Sequence, residues 1–137
     1  MKNKYLYKSI RLILVLMLVE CQIGLSQNFK IDSLKSLLDK KSGVEYSDVL
    51  YQLAYEFVET DYQLGLYYAK KAFAKAQQSN DSFRIVRAGR INSLAFRKLD
   101  KIDSGLIISL KIIPIARKNN YTDELKSIII GLGLTYT

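Results

Sequence analysis

The amino-acid sequence predicts an all-α protein made of antiparallel helical hairpins that stack one on the next. The first observation is a repeat, because shifting the sequence by about 40 residues places Gly65 on Gly105 and Lys71 on Lys111. The second is spacing, since apolar residues within each unit recur at helical steps of three and four. The third is that no segment alternates apolar and polar residues between turn signals, so we expect no sheet.

Composition limits the classes of function. The chain has 137 residues, of which 49% are hydrophobic and 25% charged, a balance typical of a folded domain. It has no His and one Cys, Cys21, so the commonest general base is missing and an internal disulfide framework is excluded. Glu56, Glu59 and Asp61 are close in sequence, but no nucleophile or metal-binding spacing accompanies them. We therefore expect no catalysis, no cofactor and no metal.

Residues 1–26 have the three-part pattern of a secretory signal peptide. Four cations come first, an apolar run follows over 12–19, and Gly24 and Ser26 supply small residues for cleavage after Ser26. Cleavage would lower the formal net charge of +8, since four of the 21 basic residues precede Ser26. The chain is therefore expected to be exported to the periplasm, where nucleic acid is not an expected partner.

Two alternatives place the chain at a membrane. In one, residues 12–25 remain as an anchor, although the apolar run before Glu20 is shorter than the roughly 20 residues of a spanning helix. In the other, a lipid is attached to Cys21, although the preceding residue, Glu20, is not small. A buried soluble helix is a third interpretation, and the four cations ahead of the run argue against it.

The remaining chain divides into a cap and repeats. Residues 27–44 are expected to form an N-terminal capping helix, over about 32–40, with Leu34 and Leu38 on its apolar side and Gly43 at its C-terminal end. Residues 45–137 then hold about two and a half hairpins. The first pairs helices over about 47–59 and 61–78, the second over about 82–99 and 103–118, and the third begins near Thr122.

Polar residues mark where these helices begin. Asp81 or Ser82 is expected to cap the first helix of the second hairpin, and Asp103 its partner. Pro114 lies inside that partner helix and is expected to kink or shorten it, because proline lacks a backbone donor.

The small and aromatic residues of these units resemble the tetratricopeptide repeat (TPR), in which small residues sit where the helices pack closest and an aromatic follows three residues later. The residues that carry the resemblance are Ala54, Phe57, Gly65 and Ala72 in the first unit, Ser93, Phe96 and Gly105 in the second, and Gly133 and Tyr136 in the third. Ile112 and Asn92 depart from the pattern, which has Ala and Leu there. The unit length also departs, since about 40 residues replace the usual ~34.

The resemblance implies a short right-handed solenoid that binds other proteins and catalyses nothing. The order of signal peptide, short helix and repeats also resembles the exported N-terminal region of bacterial sensor kinases and regulators. The alternative function is therefore the truncated sensory region of a membrane-bound histidine kinase or of a TPR-containing transcriptional regulator. A plain helical bundle with accidental self-similarity is the competing interpretation of the fold.

In a TPR protein the first helix of each hairpin lines the concave groove, and the resemblance implies the same here. The candidate protein-binding groove residues are Tyr51, Tyr55, Arg87, Arg90, Leu94 and Arg97, with Asp48, Glu59, Lys98, Ser127, Ile130 and Leu134 beside them. Arginine suits carboxylate recognition and tyrosine suits amphipathic contact, so an acidic protein or peptide is the expected partner. The alternative is a solvated basic face that keeps the domain soluble.

Two further features have both a packing and a binding interpretation. Six tyrosines fall within 46–68, and they either pack between helices with the hydroxyl at the rim or form a recognition patch. The helix that begins near Thr122 is expected to pack on the preceding hairpin through an apolar side that includes Leu125, Ile128 and Ile129, whereas Ile130 and Leu134 are expected to be exposed. We therefore expect self-association through this C-terminal helix.

Overall fold

The computed structural model describes the backbone of residues 2–133 and the side chains of residues 7–15 and 28–133. Within 2–133 the chain forms six α-helices and no strand, which confirms the all-α prediction. The helices are α1 (Lys2–Leu38), α2 (Gly43–Phe57), α3 (Tyr62–Ser79), α4 (Ser82–Lys98), α5 (Ile102–Lys118) and α6 (Thr122–Gly133). Of the residues singled out from the sequence, Leu134 and Tyr136 lie outside the described residues.

Two compact units divide the chain, one up to Ser33 and one from Leu34 onwards. The predicted capping helix over 32–40 was too short, because α1 begins at Lys2 and runs without interruption to Leu38. Among the described residues, no helix has the length and hydropathy needed to cross a membrane. The signal peptide and its cleavage after Ser26 remain predictions.

Gly43 does not end the first helix as predicted. That helix ends at Leu38, where the N–H groups of Lys40 and Lys41 both donate to the carbonyl of Leu37, at 3.1 and 3.0 Å. Gly43 is instead the first residue of α2, with a φ of +56° that favours glycine. The left-handed backbone conformation of Gly43 therefore occurs at the N-terminal end of α2 and not at the C-terminal end of α1.

Aspartates cap two of the helices. Asp61 accepts hydrogen bonds from the N–H groups of Gln63 and Leu64 at the start of α3, at 3.1 and 3.0 Å. Asp81 accepts one from the N–H of Arg84 at the start of α4, at 3.0 Å, as predicted. The prediction for Asp103 was wrong.

At the start of α5 the N-cap residue is Lys101, and no side chain caps the helix. Asp103 lies in the first turn, where a carboxylate still interacts favourably with the helix dipole. Pro114 did not shorten this helix, which continues to Lys118.

At the ends of α3 and α5, Asn80 and Asn120 adopt the left-handed conformation, with φ of 53° and 57°. Asparagine tolerates this conformation better than most residues, which explains its recurrence in the repeat.

The helices of the second unit pack in sequence order, each on the next, and α4 also contacts α2 while α6 also contacts α4. Two clusters of buried residues fill the interior. Leu50, Phe73, Ile112 and Ile128 belong to the first, which draws on α2 to α6. The second lies among α2, α3 and α4 and is made of Ala54, Val58, Leu66, Ala69, Ile91 and Ala95.

Gly65 and Gly105 lie at close helix contacts, as the repeat predicted. A Cβ atom on Gly65 would lie 2.8 Å from the Cα of Val58, and one on Gly105 would lie 2.9 Å from the carbonyl oxygen of Ser93. Because the two helices are this close, the hydroxyl of Ser93 donates a hydrogen bond to the carbonyl of Gly105, at 2.8 Å. Small residues are therefore required on both sides of the α4–α5 contact.

Candidate functional site

The first helices of the two hairpins, α2 and α4, and the last described helix, α6, are neighbours, with α4 in the middle. We call their shared surface the α2–α4–α6 face. Three of the predicted groove residues meet there: the guanidinium carbon of Arg87 lies 4.0 Å from the ring centroid of Tyr51, and Nη2 of Arg90 donates to the Tyr51 hydroxyl at 3.2 Å. The ring of Tyr55 follows at 6.5 Å from that of Tyr51 and is exposed. Aromatic and cationic groups therefore adjoin on one surface.

Two further predicted groove residues make contacts within the fold. Leu94 is half-buried and packs against the cluster that contains Ile91 and Ala95. Arg97 is also half-buried, and its guanidinium donates to the backbone carbonyl of Gly131 in α6. Burial lowers the pKa of Arg97, because a charged group loses solvation there. Arg97 thus links α4 to α6.

Most of the basic side chains of α4 pair with carboxylates of the same molecule. Arg84 forms a two-point contact with Asp48 of α2, at 3.1 and 2.8 Å, and also pairs with Asp81 at 2.6 Å. Further along α4, Arg90 pairs with Glu124 of α6 at 2.7 Å. These pairs join α4 to both of its neighbours and are therefore part of the packing.

Lys98 follows the same pattern near the C-terminal end of α4, where it pairs with Glu59 at 2.5 Å. Hydrogen bonding to that carboxylate raises the pKa of Lys98. Hydrogen bonds with Asp48 and then Asp81 likewise raise the pKa of Arg84. Each partner stabilises the charged form of the cation, so these side chains stay paired and charged at neutral pH.

Arg87 differs from Arg84, Arg90 and Lys98. Among the described residues no carboxylate pairs with it, and its guanidinium lies instead between two aromatic rings, 4.0 Å from the centroid of Tyr51 and 5.6 Å from that of Phe83. Phe83 in turn makes an edge-to-face contact with Tyr121, at 5.3 Å between ring centroids. The rings hold the guanidinium in place by cation–π attraction and leave its charge unneutralised.

The six tyrosines divide between the two interpretations. Tyr46, Tyr51 and Tyr68 are half-buried, and the ring of Tyr68 stacks on Phe57 at 5.6 Å between centroids. The other three, Tyr55, Tyr62 and Tyr67, are exposed. The packing interpretation therefore holds for the half-buried three, and a recognition patch stays a prediction for the exposed three.

The α6 part of the predicted groove is only partly described. The hydroxyl of Ser127 donates to the carbonyl of Asp123 within its own helix, at 2.9 Å, and the side chain of Ile130 is 63% exposed. Leu134 lies beyond the described residues. The groove assignment for this helix stays a prediction.

Sequence reasoning missed four residues of this face, Phe83, Arg84, Tyr121 and Glu124. For Arg84 a signal existed, since it precedes Arg87 by three residues and so shares its side of α4. For Glu124 the sequence contained no such signal, because its partner Arg90 lies 34 residues away in the sequence.

Comparison of the chain with protein-family models, with curated proteins and with solved structures found no match.

Proposed function

We propose that this chain is an extracytoplasmic TPR-like module that binds a protein or peptide through the α2–α4–α6 face and catalyses no reaction. The packing order supports the TPR-like part of the proposal. In such a solenoid the first helix of each hairpin packs on both helices of the hairpin before it, and α4 contacts both α2 and α3 while α6 contacts both α4 and α5.

A single observation carries the binding part: among the described residues no carboxylate pairs with Arg87, whereas Arg84, Arg90 and Lys98 each pair with one. The fifth cation of α4, Arg97, is bound to the carbonyl of Gly131. Arg84, Arg90 and Lys98 already have acidic partners, so they attract a ligand weakly. Arg87 can make a two-point hydrogen bond to a carboxylate, while the exposed ring of Tyr55 offers an amphipathic surface beside it. The site therefore suits one carboxylate with an apolar or aromatic neighbour, and not a long acidic run.

Phage display of random 12-residue peptides on the immobilised protein would test this proposal. We expect selected peptides to share an Asp, a Glu or a free C-terminal carboxylate next to an apolar residue. Arg87→Gln should weaken their binding by about tenfold or more, because a hydrogen bond to a charged group contributes about 1.5–3 kcal/mol. Arg117→Gln is the matched control, since Arg117 is an exposed arginine of α5, outside this face. Equal binding to the two variants would refute the proposal.

The second candidate function is the sensory region of a longer membrane-bound kinase or regulator. The exposure of Ile129 and Ile130 on α6, 50% and 63%, favours it, because a following hairpin would cover these side chains. Reading the gene beyond codon 137 separates the two functions. A reading frame that continues into a further hairpin, a membrane helix and an output domain would establish the second.

A further inference from the structure

Charge is distributed unevenly among the helices of the second unit. In α2 there are three carboxylates and no basic residue, whereas α4 has five basic residues and no carboxylate. These two helices are in contact, and α6, which also contacts α4, begins with Asp123 and Glu124. The charges of the α2–α4–α6 face therefore largely balance one another within the molecule.

The remaining two helices have an excess of positive charge. Three lysines and no acidic residue occur in α3, and α5 has Lys111, Arg117 and Lys118 against Asp103 alone. Within the described part of the chain no carboxylate pairs with the α3 lysines. Lys71 donates to the Tyr67 hydroxyl at 2.6 Å, Lys70 lies over the ring of Phe96, and Lys75 donates to Gln78 at 3.1 Å.

Both cationic helices pack on the same part of α4. A Cβ atom on Gly89 would lie 3.0 Å from Cε2 of Phe73 in α3 and 2.6 Å from Cγ2 of Ile112 in α5. The exposed positions of the two helices also correspond through the repeat of about 40 residues. The matching exposed pairs are Tyr67 with Ile107, Lys70 with Leu110, Lys71 with Lys111, Ala74 with Pro114 and Gln78 with Lys118. We call this set of exposed side chains, together with Lys75, the α3/α5 surface.

Large apolar side chains lie among these cations. Tyr67 is 49% exposed, Ile107 is 53% exposed and Leu110 is 57% exposed. Lysine side chains can lay their apolar stems along such a surface while the ammonium groups reach outwards. A surface with both exposed aliphatic groups and unneutralised ammonium groups differs from an ordinary solvated face, which has mixed charges.

We propose that the α3/α5 surface docks on an anionic lipid bilayer. Lysines near such a bilayer are attracted to its negative surface potential, and exposed apolar side chains insert at the boundary between headgroups and acyl chains. The apolar residues favour a bilayer over a soluble polyanion, which would offer them no apolar partner. The proposal is independent of the peptide groove, and it extends the sequence analysis, which expected membrane contact only through the N-terminal segment or a downstream one.

Vesicle co-sedimentation of the full chain tests the charge requirement. Vesicles of phosphatidylcholine with phosphatidylglycerol are compared with vesicles of phosphatidylcholine alone. The triple variant Lys70→Gln, Lys75→Gln, Lys111→Gln should lower affinity for the anionic vesicles at least about tenfold, since each lysine near the surface accounts for about fivefold. The matched control, Lys40→Gln, Lys101→Gln, Lys126→Gln, removes the same number of exposed lysines elsewhere. Equal losses in both variants would overturn the proposal.

A local fluorescence measurement distinguishes vesicle binding through this surface from vesicle binding through the N-terminal segment, which has its own cations and apolar run. In a Cys21→Ser background, Ala74→Cys places an environment-sensitive dye on α3, and Ser127→Cys places it on α6; both positions are exposed. Anionic vesicles should shift the emission of the α3 dye to shorter wavelength and leave that of the α6 dye unchanged. A shift at neither position, or an equal shift at both, would contradict docking through α3 and α5.

A soluble polyanion provides the last comparison. Ile107→Ser with Leu110→Ser should reduce vesicle binding while leaving weak binding to a double-stranded DNA oligonucleotide unchanged. If the double variant binds vesicles as well as the unchanged protein does, the surface attracts polyanions in general, and the bilayer proposal fails. Circular dichroism of each variant checks that the helices remain, so that a loss of binding is not a loss of fold.

Discussion

Gly65 and Val58 approach so closely that a Cβ atom on the glycine would lie 2.8 Å from the Cα and 3.0 Å from the amide nitrogen of Val58. Both atoms belong to the backbone, so no side chain can rotate away to make room. Gly65→Leu should therefore push α3 away from the end of α2 and lower the free energy of unfolding by about 1–3 kcal/mol. Urea denaturation followed by circular dichroism measures the change.

Gly133 supplies the control for this substitution. It is also a helical glycine, at the end of α6, but a Cβ atom there would meet nothing within 4 Å. Gly133→Leu should leave stability unchanged or raise it by up to about 1 kcal/mol, because leucine favours the helix more than glycine does. Similar losses at both positions would show that the close contact at Gly65 is not the cause.

Asp81 is expected to make stability depend on pH. Its carboxylate accepts a hydrogen bond from the backbone N–H of Arg84 and pairs with the side chain of that residue, and these contacts hold its pKa below the ordinary value of 3.8. A carboxylate with a lowered pKa stabilises the fold above its ordinary pKa and loses that contribution as the pH falls through the lowered value. The free energy of unfolding should therefore fall below about pH 4.

Two substitutions separate the cap of Asp81 from its charge. Asp81→Ala should cost about 1 kcal/mol at pH 7, since it removes both the cap and the ion pair. Asp81→Asn should cost less, because asparagine caps a helix about as well, and it should also weaken the acid dependence. Asp39→Ala, at an exposed aspartate of the turn after α1, is the control. Identical acid dependence in Asp81→Asn and the unchanged protein would rule out this role.

Local chemistry explains which helix boundaries could be predicted from the sequence. Asp61 and Asp81 cap helices through bonds that reach only two or three residues along the chain, so their effect is visible in sequence. Gly43 was correctly singled out as special, since it has a positive φ, but the sequence could not show which of two helices that conformation serves. The length of α1 could not be predicted, because its first part has the composition of a signal peptide, which does not show where the helix begins.

The pairing within the candidate site could not be predicted in the same way. Arg84 and Asp48 are 36 residues apart, and only the packing of α4 on α2 brings them together. The sequence showed a row of cations on one side of α4 and thus a basic groove. It could not show that neighbouring helices supply carboxylates to Arg84, Arg90 and Lys98, and so could not single out Arg87.

Asn92 is a position where we expect a substitution to stabilise the protein. It is 3% exposed, and its carbonyl oxygen accepts no hydrogen bond from the described residues. The corresponding residue of the first hairpin, Leu53, is fully buried. Leucine has the same branching as asparagine and no polar atom, so Asn92→Leu should raise the free energy of unfolding by about 1 kcal/mol.

Asn92→Asp is the control, because it keeps the shape and adds a charge that is costly to bury. It should destabilise the protein, and more strongly at pH 7 than at pH 4. Thermal denaturation of the unchanged protein, Asn92→Leu and Asn92→Asp side by side ranks their stabilities. If Asn92→Leu unfolds at a lower temperature than the unchanged protein, then the carbonyl oxygen of Asn92 has a partner in solution, such as a bound water.

The C-terminal helix should mediate self-association through its exposed side. On α6, Ile128 is 3% exposed and packs in the core, whereas Ile129 and Ile130 are 50% and 63% exposed. Sequence reasoning expected Ile129 on the packed side with Ile128, and its exposure enlarges the apolar surface available to a second copy. Ile129→Ser with Ile130→Ser should therefore shift the protein towards monomer in analytical ultracentrifugation. It should leave the free energy of unfolding of the monomer nearly unchanged, because little buried surface is lost.

Ile128→Ala is the counterpart inside the core, and it should lower stability by about 2 kcal/mol or more through the cavity it leaves. The surface control is Ile107→Ser with Leu110→Ser, which removes two equally exposed aliphatic side chains from α5. If that pair lowers self-association as much as the α6 pair does, association is a general effect of exposed apolar groups. If neither pair changes the sedimentation of a self-associating protein, the contact lies elsewhere on the chain and the role of α6 must be abandoned.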